Sequence, residues 1–242
     1  MWDIKFKKRY YEKNSDWVNW LEPLIYVKEN LKKSELEKLT FDNIKIENTR
    51  EENLIKYRNQ LKFHRNNIKS QFFKTSDGTM SVGLNSIIVD NLLKVLIKIK
   101  NFSFSEKINF TIVALGGYGR GELAPHSDID IIFLLNDKMP LEEQKKTENH
   151  IENILYYLWD LNFKIGHSTR TIKEVFENCP SDLNLLTSLL DNRYVVGEKK
   201  IFLNFQNKFE VYLKKSNALN FVKKKLEESE KRHFKFGGSR YV

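Results

Sequence analysis

Residues 109–135 read N-F-T-I-V-A-L-G-G-Y-G-R-G-E-L-A-P-H-S-D-I-D-I-I-F-L-L. The first seven form a short, nearly continuous apolar run that feeds two glycines, the pattern of a strand buried on both faces. Residues 129–135 are a second run of the same kind. Between them Gly116, Gly117, Gly119 and Gly121 crowd into six positions. Glycine lets backbone N–H groups approach an anion closely and adopt positive φ, so a glycine-rich turn at the end of a buried strand predicts a phosphate cradle. A tight turn alone is the alternative. Two common phosphate motifs are excluded: a P-loop needs Lys and Ser/Thr where Glu122 and Leu123 stand, and G-x-G-x-x-G breaks at Glu122.

Asp128 and Asp130 give the turn its chemistry. Residues i and i+2 of a strand share a face, so the two carboxylates converge on one point at the entry to the second strand. Two adjacent carboxylates repel each other unless a divalent cation neutralises them, and Mg²⁺ accepts carboxylate and phosphate oxygens together. Residues 131–135 are all apolar, which places the pair at the rim of a buried sheet.

Working outward, the helical period dominates residues 1 to about 100. Residues 16–32 carry Trp17, Trp20, Leu21, Leu24, Ile25 and Val27 on one face, and residues 47–74 carry Leu54, Ile55, Tyr57, Leu61 and His64 up to the turn pair Asp77-Gly78. A third helical pattern begins after Asn85 and runs to Ile99. Downstream, residues 141–161 predict a helix connecting the second strand to a strand-like segment at 163–168. Residues 182–190 predict a helix capped by Ser181, residues 193–196 a short strand closed by Gly197, and residues 199–215 and 217–232 two further helices. The expected division is a helical region 1–104, an α/β core 105–198 with a mixed sheet, and a helical extension 199–242.

Composition narrows the class. With 40% hydrophobic and 13% aromatic residues among 242, global disorder is excluded. The single cysteine, Cys179, excludes an internal disulfide and a cysteine-built zinc site, and predicts a reducing, cytoplasmic setting. The charged N-terminus has no signal-peptide character, and the longest apolar runs are strand-sized, so no membrane span is expected. The net charge of +9 is mostly lysine in a chain also rich in Asn and Ile, a background bias that needs no nucleic-acid partner. Nucleic acid is therefore not expected as a partner.

The Gly-Gly turn followed by Asp-x-Asp on the next strand resembles the DNA polymerase β-like nucleotidyltransferase superfamily. Four runs together resemble one branch of it, the bacterial PII protein uridylyltransferase/uridylyl-removing enzymes: residues 116–130, L-W-D-L-N-F-K-I-G-H-S-T-R-T from Leu158, L-L-D-N-R-Y-V-V-G from Leu189, and K-R-H from Lys231. The resemblance covers about residues 105–240. It implies Mg²⁺-dependent transfer of UMP from UTP to a tyrosine of the PII signal protein. Members of that family continue into an HD-type hydrolase domain and two ACT domains, so the chain is expected to be an N-terminal piece without uridylyl removal or glutamine sensing. A related adenylyltransferase with another acceptor, or an inactive nucleotide- or PII-binding module, is the alternative.

The resemblance also implies roles. Asp128 and Asp130 would bind Mg²⁺; Gly116, Gly117, Gly119 and Gly121 would hold phosphates through their amides; Arg120 would meet the leaving pyrophosphate. The family often has Ser where Gly117 stands, and Ser127 is the candidate substitute for that hydroxyl. A third carboxylate commonly lies on a later strand, and Asp191 is the candidate here. His167 reads as a core histidine or a base, Arg170 as a substrate contact or a strand-end residue, and His126 as a turn residue or a nucleotide contact.

Overall fold

The computed structural model describes residues 23–41, 49–99 and 108–235. Residues 16–22 of the helix predicted over 16–32, the boundary at 104/105 and Gly237-Gly238 lie outside the described residues. The elements are α1 (Pro23–Asn30), α2 (Lys33–Glu37), α3 (Arg50–Thr75), α4 (Gly78–Leu96), β1 (Phe110–Ala114), α5 (Gly116–Gly119), β2 (Ile129–Leu135), α6 (Leu141–Asp160), β3 (Ile165–Thr171), α7 (Ile172–Asn178), α8 (Leu183–Leu190), β4 (Arg193–Gly197), α9 (Lys199–Lys215) and α10 (Ala218–Lys235).

The four strands form one mixed sheet in the order β3-β2-β1-β4. β1 is antiparallel to β2 and to β4, while β2 and β3 run parallel. The parallel pair needs a crossover, and α6 supplies it. This is the mixed α/β core expected from the sequence, consistent with a polymerase β-like nucleotidyltransferase.

The continuous apolar runs of β1 and β2 follow from burial on both faces. On one face Phe110, Ile112, Ile129, Ile131 and Phe133 pack with Tyr57 and Leu61 of α3, with α4, and with Ile154 and Leu158 of α6. On the other, Val113, Ile132 and Leu134 pack with Ile172 and Val175 of α7, Leu186 and Leu189 of α8, and Phe205 and Phe209 of α9. Asp130 has the parity of Ile132 and Leu134, so it belongs to the second face, at the end where the helical cover stops.

Local signals explain the helix starts. Thr49 Oγ1 accepts from the Glu52 amide at 3.3 Å, and Asp77 Oδ1 accepts from the Met80 amide at 2.8 Å. Ser76 closes α3 in the left-handed region (φ 54°), so the Asp77-Gly78 turn lies where the sequence put it. α4, however, starts at once at Gly78 and not after Asn85, because small residues fit its close packing on α1: a side chain at Gly83 would lie 2.6 Å from the Pro23 carbonyl oxygen. Two elements absent from the expectation are α2 and α7. The latter is opened by a reciprocal cap in which Thr171 Oγ1 accepts from the Glu174 amide and the Glu174 carboxylate accepts from the Thr171 amide. α8 is capped by Asp182, which accepts from the Leu185 amide at 2.9 Å, one residue beyond the expected Ser181.

By length and composition α4 could cross a membrane, contrary to the expectation that every apolar run is strand-sized. Here it is a core helix, with 61% of its most apolar window buried in the fold.

Candidate active site

The site is built where β1 ends and β2 begins. Leu115 donates its amide to the Asp130 carbonyl at 2.9 Å, which brings the glycine turn alongside the Asp-x-Asp segment. The turn itself winds into the single helical turn α5, and Gly116 opens it at φ +53°, a conformation that disfavours any side chain. A Cβ on Gly116 would stand 3.7 Å from Asp130 Oδ2, so the carboxylate and the turn entrance share one space.

The turn divides its glycines into two groups. The amides of Gly119, Arg120, Gly121 and Glu122 all donate inside the turn, to the carbonyls of Leu115, Gly116, Tyr118 and Gly117. Those amides are spent on holding the turn. Gly116, Gly117 and Tyr118 carry first-turn amides, which have no acceptor within the helix. The amides left for an acceptor outside the turn are therefore those of Gly116, Gly117 and Tyr118. Gly119 and Gly121 have packing reasons to be glycine: a Cβ at 119 would fall 1.8 Å from the Asp191 carbonyl oxygen, and one at 121 would fall 2.6 Å from the Leu24 side chain.

Asp130 feels both burial of its base and the charge of Asp128, and together these raise its carboxyl above the usual range. Asp128 stands one residue before β2, two residues from Asp130. Mutual charge of this kind is the condition a divalent cation relieves. Two carboxylates supply only part of a Mg²⁺ shell, with phosphate and water oxygens completing it, so the donor set suits that ion. Among the described residues no group of three His, Cys, Asp or Glu side chains is placed to hold a metal.

Asp191, the candidate third carboxylate, lies beside the glycine turn, where its backbone borders Gly119. It caps the end of α8, and its Oδ2 accepts from Arg120 Nη1 at 2.6 Å, while Arg120 Nε donates to Glu122 Oε2 at 2.7 Å. Burial opposes the guanidinium charge, but these two carboxylates outweigh it and raise the Arg120 pKa. The pairs are part-exposed and therefore weak. Ser127 is occupied too: its hydroxyl donates to the Ala124 carbonyl at 2.9 Å and closes the turn that holds His126 at φ 69°.

On β3, Gly166 pairs with Asp130, Ser168 with Ile132 and His167 with Ile131. His167 therefore faces away from Asp130, and its ring lies 5.8 Å from that of Trp159. It is an exposed ring on the far face, so the reading as a core histidine does not hold, and it does not face the aspartate pair as a base would. Arg170 shares the Asp130 face, but toward the far end of β3, where its charge bears on Cys179. Cys179 is buried, and desolvation pushes its thiol up to about 11, which removes it as a nucleophile.

One site residue escaped the sequence reading. A Cβ at Gly166 would lie 2.3 Å from Asp130 Oδ1, so only glycine leaves the carboxylate its present position. The available signal was an isolated glycine inside a strand, a mark of close approach.

Comparison with known proteins agrees with this geometry. Residues 96–182 match the nucleotidyltransferase domain family. The bifunctional uridylyltransferase/uridylyl-removing enzyme of Novosphingobium aromaticivorans is 40% identical over 177 residues, 70% of this chain and 19% of that protein. The enzyme of the same name from Rhodospirillum rubrum is 36% identical over 165 residues, 65% of this chain and 17% of the relative. That from Azospirillum brasilense is 33% identical over 195 residues, 78% of this chain and 20% of the relative. The chain spans about a fifth of the length of the curated relatives it matches. An aspartate pair beside a glycine turn, on a sheet of this topology, agrees with the match of residues 96–182 to the nucleotidyltransferase domain family and with the similarity of the chain to part of the bifunctional uridylyltransferase/uridylyl-removing enzymes.

Proposed function

We propose that the chain transfers UMP from UTP to a tyrosine hydroxyl of a PII signal protein, with Mg²⁺ held by Asp128 and Asp130. The observation that carries nucleotidyl transfer is the Asp130 carboxylate, two residues from Asp128 and lying against the Gly116 entrance of the turn. The uridylyl donor is supported by the names of the relatives, and the PII acceptor by the resemblance of the runs beginning at Leu158, Leu189 and Lys231.

In this reading the Gly116 and Gly117 amides receive phosphate oxygens of the nucleotide, and Arg120 turns from Asp191 or Glu122 toward the pyrophosphate side. Bound Mg²⁺ would neutralise charge on the phosphates and the aspartate pair and lower the pKa of an oxygen bound to it. The aspartates orient the α-phosphate toward the acceptor. The tyrosyl oxygen bonds to the α-phosphorus as the bond to the bridging oxygen breaks, pyrophosphate leaves, and the phenolic proton passes to solvent. Gly166 keeps space open for the Asp130 carboxylate throughout.

The test is incubation with labelled UTP, Mg²⁺ and PII protein beside a panel of other nucleotides. Label on PII from UTP far ahead of ATP, lost in Asp128→Asn, is the expected result. Preference for ATP would redirect the reading to adenylyl transfer. Label on no acceptor, with nucleotide still bound, would leave a binding module.

A further inference from the structure

A second charged network lies behind the glycine turn, on the α4 side of the sheet. Arg193 opens β4, and its guanidinium grips Asp90 of α4 with both ends: Nη1 to Oδ2 at 2.7 Å and Nη2 to Oδ1 at 3.1 Å. The remaining donor capacity goes to the turn. Nε donates to the Gly119 carbonyl at 3.1 Å, and Nη2 also to the Tyr118 carbonyl at 3.1 Å. The Tyr118 hydroxyl closes the ring by donating to Asp90 Oδ1 at 2.6 Å, and the guanidinium carbon sits 5.2 Å from the Tyr118 ring centre.

Exposure separates this network from the one at Arg120. The Arg193 and Asp90 side chains are 17% and 14% exposed, against 43% for Arg120. A buried, bidentate pair with its donors committed is a fixed bracket, whereas the Arg120 pairs are part-exposed and weak. The bracket holds the last carbonyls of α5, while the first amides of the same turn have no acceptor within it. Asp90 precedes and Arg193 follows the 96–182 segment that matches the family, so neither belongs to the matched stretch.

We propose that Asp90 and Arg193 are positioning residues for nucleotide binding: they fix the rear of the glycine turn through the Tyr118 and Gly119 carbonyls and so set the placement of the Gly116 and Gly117 amides. This rests on the nucleotidyl-transfer reading of the turn. Through Asp90, helix α4 becomes part of the nucleotide site without touching the nucleotide.

The test uses the 242-residue chain and the variants Arg193→Lys, Asp90→Asn and Tyr118→Phe. Arg193→Lys keeps a charge for Asp90 but cannot serve both carbonyls. Hydrogen exchange is followed at the turn amides of residues 119–122 and, as a control for folding, at β2. KM for UTP and kcat are measured with Mg²⁺ and PII protein. For Arg193→Lys the expected result is faster exchange confined to the turn and a KM raised by about tenfold, with a smaller change in kcat. Asp90→Asn should act the same way and Tyr118→Phe more weakly. Wild-type exchange and wild-type KM in Arg193→Lys would overturn the proposal, as would faster exchange spread equally over β2. If the unsubstituted chain binds no nucleotide, the functional reading falls, and the exchange pattern still decides whether the bracket holds the turn.

Discussion

Substitution of Gly166 by alanine tests the site at its least obvious point. The added Cβ would stand 2.3 Å from Asp130 Oδ1, against an ordinary contact of about 3.4 Å, so the oxygen must retreat by about 1 Å. The clash meets the end of a side chain and no backbone atom, so the β2–β3 pairing survives and Asp130 rotates away. Alanine also removes some chain freedom from the unfolded state, which keeps thermal stability near that of the parent. Displacing a group that aligns reacting atoms by about 1 Å costs about 10²-fold in rate, equivalent to about 2.7 kcal/mol in the barrier. The assay is single-turnover transfer of label from UTP with saturating nucleotide, beside a melting curve. An alanine variant that melts normally and transfers at the parental rate would refute the claim that Gly166 sets the position of Asp130.

Other substitutions separate the remaining roles. Asp191→Asn should raise KM for the nucleotide more than it lowers kcat, because Asp191 anchors Arg120; a collapse of kcat equal to that of Asp130→Asn would restore Asp191 as a third catalytic carboxylate. Gly119→Ala should destabilise the fold by about 3 kcal/mol in denaturant titration, because its Cβ would meet two backbone oxygens, of Asp191 and Ala114, at 1.8 and 3.0 Å. His64 gives a pH dependence: buried among Phe41 and Phe63, its imidazole titrates below the ordinary value through desolvation. Above about pH 6.5 it is neutral in both folded and unfolded chains and contributes no slope. As pH falls from there through the lower folded value, the unfolded chain takes the proton first and stability declines. His64→Leu should flatten that part of the stability profile relative to the parent, and an unchanged profile would remove His64 as its source.

What the sequence reveals of this site follows from which contacts are local. The aspartate pair is legible because a two-residue spacing at a strand start needs no tertiary information to be noticed, and β1 and β2 are legible because burial on both faces leaves almost only apolar residues along them. The cap Thr171-x-x-Glu174 was equally local, and α7 could have been read from it. The roles of the four glycines were not separable in the same way. They look alike in sequence, yet Gly116 borders Asp130 while Gly119 and Gly121 make room for Asp191 and Leu24 from distant elements. Arg120 and Asp191 illustrate the same limit: each was a sound candidate for the site by type and position, but their mutual attraction depends on α8 ending beside the turn. The Asp90–Arg193 bracket spans 103 residues and both ends are ordinary charged residues in periodic segments, so no spacing rule announces it. Chemistry that one strand can present is therefore written in short spacings, whereas the parts that hold it in place come from elements on both sides of the sheet and become visible only when α4, β3 and β4 are folded around it.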